Sequence, residues 1–177
     1  MRNLTHTRAA RVATLQALAI LDTAPEQCYD ALTRVAALVC DMPIALVSLI
    51  DGDRLWFKAA SGVDASETTS GSSFCCEAAD HDAFLEVCDA REDPRFSAIG
   101  LVTGSLGVRY YAGAPLAVNG IPIGTLCVLD RKPNQLSEKQ KSALQDLALL
   151  TTSLLQARSE AFRLLAMPKT WSAVPAG

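Results

Sequence analysis

The chain has 177 residues, 50% of them hydrophobic and 20% charged, with a formal net charge of -3. This is the make-up of one globular domain, able to bury about 70% of its unfolded surface without a disulfide or a metal. Both charge signs are scattered, so no basic stripe for nucleic acid is present, and no uncharged apolar run approaches the ~18 residues of a spanning helix.

Residues 7–21 carry Val12, Leu15, Leu18 and Ala19 on one face, the spacing of an amphipathic helix. Arg2, Arg8 and Arg11 ahead of an Ala/Leu-rich run imitate a signal peptide. Gln16 interrupts that run, Asp22 ends it and no small-residue cleavage site follows, so a mature helix is expected. "DTAPEQ" restarts the chain: Thr23 followed by Glu26 fits a capping box with Pro25 in the first turn. A second helix then places Tyr29, Leu32, Ala36 and Val39 on one face and ends at Asp41 and Pro43.

"PIALVSLID" (43–51) is apolar and too short for an ordinary helix, so it reads as a strand buried on both faces. "DGDR" turns the chain into an antiparallel partner, "RLWFKAASG" (54–62). Residues 61–73 form a long Ser/Thr/Gly-rich loop, and "SSFCCEAAD" opens a short helix over 74–79. "AFLEVCDA" (83–90) is a strand, 91–107 is irregular, and "VRYYAGAPLAV" (108–118), "NG" and "IPIGTLCVLD" (121–130) make a hairpin. Ser137 followed by Gln140 caps the last helix, 137–165, and 166–177 reads as a loose tail in which Trp171 has no assigned place. The expected fold is α+β: a mainly antiparallel central sheet, terminal helices on one face, and the 61–73 and 91–107 loops over a cavity on the other.

The six cysteines (28, 40, 75, 76, 88 and 127) form no C-x-x-C pair, and the only histidines are His6 and His81, so no metal site is expected. Thiols in apolar runs pack as small hydrophobes and fit a reducing, cytoplasmic setting. Cys75 and Cys76 are adjacent on a helix, point about 100° apart and cannot pair with each other. One packs inward and one partly outward, and a helix N-terminus lowers a thiol pKa, which leaves reactivity open beside plain packing.

The candidate ligand-binding residues are Ser48, Trp56, Phe57, Phe74, Cys75, Arg109, Tyr110, Tyr111, Thr125 and Cys127. Strand alternation allows only one of Trp56/Phe57 and one of Tyr110/Tyr111 to face the cavity. Asp89, Arg91, Asp93 and Arg95 read as ion pairs that pin the 91–107 loop, while Arg109 is either such a pin or a contact to an anionic ligand. Leu15 and Leu18 on the first helix and Leu147, Leu150 and Leu154 on the last read as a homodimer surface.

From "ILDTAPEQ" to "RKPNQLSEKQ", through "SSFCCEAAD", "DAREDPRF" and "VRYYAGAPLAVNGIPIGTLCVLD", residues 8–160 resemble a GAF domain. The resemblance implies one GAF-like, PAS-like domain over 1–165, with its core at about 22–158 and an antiparallel sheet of about six strands. It implies a bacterial-type sensory module of signal transduction that binds a small molecule and pairs as a homodimer. In the family such modules regulate a joined effector; 177 residues leave no room for one, so the expectation is that either the module acts alone or a separate signalling protein supplies the output. Family ligands range over cyclic nucleotides, bilins, haem, amino acids and oxoacids, so the ligand stays unknown and no cofactor is assigned. Bilin attachment departs from the pattern, because Glu77 rather than His follows Cys76. Ligand is expected to order the two loops and repack the helices. Two alternatives stand beside this reading: a thiol-dependent reductase of the free methionine-sulfoxide type using Cys75, Cys76 and Cys88, and a ligand-free interaction module.

Overall fold

The longest apolar stretch takes the middle of the sheet, where both faces are covered. In the computed structural model, which describes residues 4–70 and 73–166, β1 (Ile44–Asp51) is buried along its whole length except at Asp51. The chain runs α1 (Leu4–Leu18), α2 (Gln27–Cys40), β1, β2 (Arg54–Ser61), β3 (Glu67–Thr69), α3 (Phe74–His81) and β4 (Leu85–Val87). It continues through α4 (Gly100–Thr103), β5 (Tyr110–Val118), β6 (Ile121–Asp130) and α5 (Glu138–Ala166). The sheet order is β3-β2-β1-β6-β5-β4, antiparallel throughout. The β5–β6 hairpin turns at Asn119 (φ 52) and Gly120 (φ 75), the two positive φ values that an Asn-Gly turn supplies.

Alternation sends the side chains to two cores. On one face Leu49, Trp56, Tyr110, Leu126 and Val128 pack under α1, α2 and α5. On the other Leu46, Leu55, Tyr111, Cys127 and Leu129 pack with Phe74 of α3, Phe96 and Val102. Arg11 of α1, 5% exposed, donates from Nε to the Pro122 carbonyl at 2.7 Å and from Nη2 to Asp80 of α3 at 2.9 Å. It joins a helix of one face to a helix of the other.

Several boundaries depart from expectation, each for a long-range reason. α1 begins and ends earlier than 7–21: Ala19 turns to φ 44, and Arg158 of α5 caps the helix by donating to the Leu18 and Ala19 carbonyls. The Thr23–Glu26 capping box does not form. Lys58, its side chain fully buried, donates to Thr23 Oγ1 and the Ala24 carbonyl and pairs with Glu26 at 2.6 Å. Leu15 and Leu18 are fully buried against the chain's own sheet and so cannot form a dimer surface; among the described residues the exposed leucines are Leu38 of α2 and Leu149, Leu150, Leu154 and Leu164 of α5.

The expected loop at 61–73 contributes β3, a polar three-residue edge strand paired with Arg54–Trp56. The 83–90 strand shortens to β4, and 91–107 holds α4. The Ser137–Gln140 capping box is present in both directions. Beyond Ala166 the expected tail, with Trp171, lies outside the described residues.

Candidate functional site

The face of the sheet away from the terminal helices carries a cavity of about 610 Å³. Leu46, Leu55, Tyr111, Cys127 and Leu129 form its floor, and α3 supplies Phe74 and Cys75. Residues 63–70 and 99–106 close its sides, the two loops expected to do so. Phe74 stacks on Tyr111 (centroids 4.8 Å apart, planes at 14°) and tilts against Phe96 at 4.5 Å. Among the described lining residues there is no Lys, Arg or His, and Glu67 is the one charged group. Such walls fit an uncharged, largely apolar guest steered by a few hydroxyl and thiol groups.

Those polar groups collect beneath α3. Ser48 of β1 and Thr125 of β6 are cross-strand partners on the cavity-side face, and both are fully buried. Neither hydroxyl has a hydrogen-bond partner of normal geometry. The Tyr111 hydroxyl donates to Cys75 Sγ at 3.7 Å and favours its thiolate. The neighbouring Cys127 thiol is the largest influence on Cys75 and, with that phenol, holds it below its ordinary pKa against the upward push of burial. Cys75 in turn, and then burial, push Cys127 upward, and burial foremost raises Tyr111.

Gly113 makes this arrangement possible. It lies two residues from Tyr111 on the same side of β5, and the phenol folds across it. A methyl group there would sit 2.2 Å from Tyr111 Oη and 2.6 Å from Cζ.

Of the residues singled out in the sequence, Phe57, Phe74, Cys75, Tyr111 and Cys127 line the cavity, while Ser48 and Thr125, paired across β1 and β6, are fully buried and are not among its lining residues. Trp56 and Tyr110 do not; their strand positions send them into the helix-side core, where the Tyr110 hydroxyl donates to Glu86 at 2.8 Å. Arg109 is a loop pin, its guanidinium held in a two-bond fork by Asp89, and that contact keeps Asp89 below the usual carboxylate range. Asp93 pairs with Arg95 at 2.7 Å, and Arg95 also reaches Glu77 at 3.3 Å. Arg91 gives Asp89 only its backbone N–H, so Arg109 takes the place expected for it.

Cys76 turns away from Cys75 and donates to the Ser70 carbonyl at 3.7 Å, and burial raises its pKa. Cys88 is exposed, so the partner of Cys75 is Cys127 and not Cys88. The sequence reading missed Leu46, Leu55 and Leu129, whose alternation on the cavity-side face was legible, and Leu101 and Leu106, whose loop carries no periodic signal.

A six-stranded antiparallel sheet with terminal helices on one face and a cavity under a short helix on the other is a GAF-like α+β architecture. Residues 24–153 match the GAF domain family, and the chain belongs to that family. It is 37% identical over 143 residues to a cyclic di-GMP phosphodiesterase of Pseudomonas aeruginosa, a match covering 80% of this chain and 24% of that protein. The chain thus spans about a quarter of the length of that relative.

Among solved structures it resembles the GAF domain of Thermosynechococcus elongatus PixJ in its blue-light absorbing form (TM-score 0.65, 15% identity, 88% of this chain and 94% of that one). It also resembles the GAF domain of an Acinetobacter phosphoenolpyruvate-protein phosphotransferase (0.63, 16%, 94% and 99%). A third is the free methionine-R-sulfoxide reductase of Neisseria meningitidis, solved with its substrate (0.60, 20%, 91% and 94%). At these identities the likeness is one of fold. No helix of the described residues is long and apolar enough to cross a membrane.

Proposed function

We propose that this chain is a sensory GAF domain that binds an uncharged, mostly apolar small molecule and passes its occupancy to a separate signalling protein. The observation that carries this reading is the cavity, roomy enough for a small metabolite and walled by apolar side chains, with hydroxyls and thiols at one end. The cyclic di-GMP phosphodiesterase relative supports a signalling context, with cyclic-dinucleotide turnover as the class of output chemistry. Bound ligand draws the 63–70 and 99–106 walls onto itself and favours the closed arrangement.

A homodimer belongs to this proposal, with a second copy packed on the α2–α5 face. Val35, Leu38, Leu150 and Leu154 are 42%, 80%, 57% and 37% exposed there, beside an apolar groove between the two helices.

Native mass spectrometry of freshly purified protein, set against its denatured mass, tests the binding. A non-covalent adduct is expected in the wild type and should vanish in Leu46→Trp, whose indole fills the floor. Absence of any adduct, together with no thermal shift from a panel of neutral aromatic and aliphatic compounds, favours the interaction module instead. A saturating ligand at about 100 times its Kd adds about 2.7 kcal/mol of stability, a shift that melting resolves easily.

A further inference from the structure

Two buried thiols from different elements line one cavity that opens to solvent, and ligand binding gives no reason for both to be sulfur. Cys75 and Cys127 come from α3 and β6, line the same cavity, belong to the same buried cluster, and lie near enough to perturb each other's ionisation. The Tyr111 hydroxyl aims at Cys75 Sγ from 3.7 Å, and the partnerless hydroxyls of Ser48 and Thr125 stand behind the pair. If packing were the whole role, this end would not need five polar side chains; polar groups buried without full partners cost stability. Among the described residues no group of three or more His, Cys, Asp or Glu stands together as a metal site would require.

The four other cysteines lack this setting. Cys28 and Cys88 are exposed, Cys40 is buried in apolar surroundings that push its pKa to about 11, and Cys76 is engaged with backbone. The Tyr111 hydroxyl, donating to Cys75 at 3.7 Å, favours a thiolate there, which makes Cys75 the attacking thiol and Cys127 the resolving one.

We propose that Cys75 and Cys127 form a dithiol site that reduces an apolar organic hydroperoxide and closes to an intramolecular disulfide. Cys75 sulfur attacks the terminal peroxide oxygen, and the O–O bond breaks. The alkoxide that leaves takes up the proton Cys75 gave up and departs as the alcohol, leaving a sulfenic acid on Cys75. Cys127 sulfur then attacks the sulfenic sulfur, and the hydroxyl leaves as water with the Cys127 proton. The two thiols lose two electrons and two hydrogens, and the hydroperoxide becomes one alcohol and one water. A small dithiol reverses the change by exchange. The apolar walls select a hydroperoxide with a hydrocarbon body over hydrogen peroxide, and the Tyr111 hydroxyl, which lines the cavity beside Cys75, is placed to meet the peroxide oxygens. The site acts whether or not the cavity also holds a sensory ligand.

The test treats freshly reduced full-length protein with one equivalent of cumene hydroperoxide or of hydrogen peroxide, followed by intact mass and peptide mapping. The expected result is loss of two hydrogens' mass, restored by dithiothreitol, and a peptide linking Cys75 to Cys127. Cumene hydroperoxide should react about tenfold faster or more, since its aryl group is buried on binding. Cys127→Ser should stall with one added oxygen on Cys75 that dimedone traps, while Cys76→Ala and Cys88→Ala behave as wild type. The proposal is overturned if the wild-type map shows no Cys75–Cys127 link, or if Cys28 or Cys88 is oxidised first. The wild-type map requires no variant to fold. The adduct experiment above reads ligand binding separately, so either proposal can fail alone.

Discussion

Replacing Gly113 by alanine tests the placement of the phenol that faces Cys75. The new methyl carbon would lie 2.2, 2.6 and 3.0 Å from Oη, Cζ and Cε1 of Tyr111, against an ordinary carbon contact of about 3.5–4 Å. The ring must therefore retreat by more than about 1 Å. It is fully buried and stacked on Phe74, so only the cavity offers room. Overpacking of this kind costs about 1–3 kcal/mol, while the stiffer unfolded chain returns about 0.4–1 kcal/mol. The net is a loss of about 1–2 kcal/mol, or roughly 2–8 °C in melting temperature at this chain length.

Thermal unfolding by circular dichroism measures that shift, and the Tyr111→Leu background supplies the control. Leucine lacks the three clashing atoms, so there the same Gly113→Ala change should be neutral or slightly stabilising, and the double-mutant cycle should show coupling of about 1–3 kcal/mol. Cys75, deprived of the phenol's hydrogen bond and facing a cavity now occupied by the displaced ring, should also react more slowly with a bulky maleimide. A Gly113→Ala protein that melts at or above wild type with Tyr111 in place would refute the reasoning.

Three other outcomes follow from contacts elsewhere. Lys58→Ala removes a fully buried partner of Glu26, but Glu26 is partly solvated and keeps Arg158 at 2.9 Å, so the loss should fall near 2–3 kcal/mol, below the range for a wholly buried pair, as read by urea unfolding. Burial alone would raise the pKa of Glu86, but Lys141, the Leu136 N–H and the Tyr110 hydroxyl together lower it. Its contribution is fully present above its unfolded value of about 4.3 and is lost as pH falls through the folded value; the melting difference between wild type and Glu86→Gln should therefore shrink steadily below about pH 4. Leu150→Glu combined with Leu154→Glu should turn a dimer into a monomer by light scattering while leaving the melting temperature of the fold nearly unchanged, because both side chains are exposed in one copy.

How far the sequence could be read follows from the range of each signal. The strands at 43–51, 54–62 and 121–130 were legible because burial on one or both faces leaves an apolar pattern and Asn119-Gly120 dictates the hairpin. β3 was not: three polar residues on a sheet edge become a strand only through pairing with β2. The Thr23–Glu26 motif failed because Lys58 and Arg158, distant in the chain, claim both side chains. Cys75 was visible as a candidate from its own helix start. Its partner was not, because two residues on different elements share no local pattern, and Cys88 was the nearer guess in sequence. The misplaced Leu15 and Leu18 teach the same lesson: periodicity identifies an apolar face and cannot tell whether the cover is the same chain or another.

The Arg11 fork has a mechanical consequence. One nitrogen grips the start of β6 through Pro122 and another grips the last turn of α3 through Asp80, while the residue itself belongs to α1. α3 carries one thiol of the pair, and the proposed disulfide would draw its sulfur to about 2.05 Å from that of Cys127. That pull cannot settle the helix without either dragging the arginine or snapping its hold on Asp80. The guanidinium thus works as a tie-rod around the rim of the sheet, able to deliver a displacement in the cavity to the opposite layer without bending a single strand.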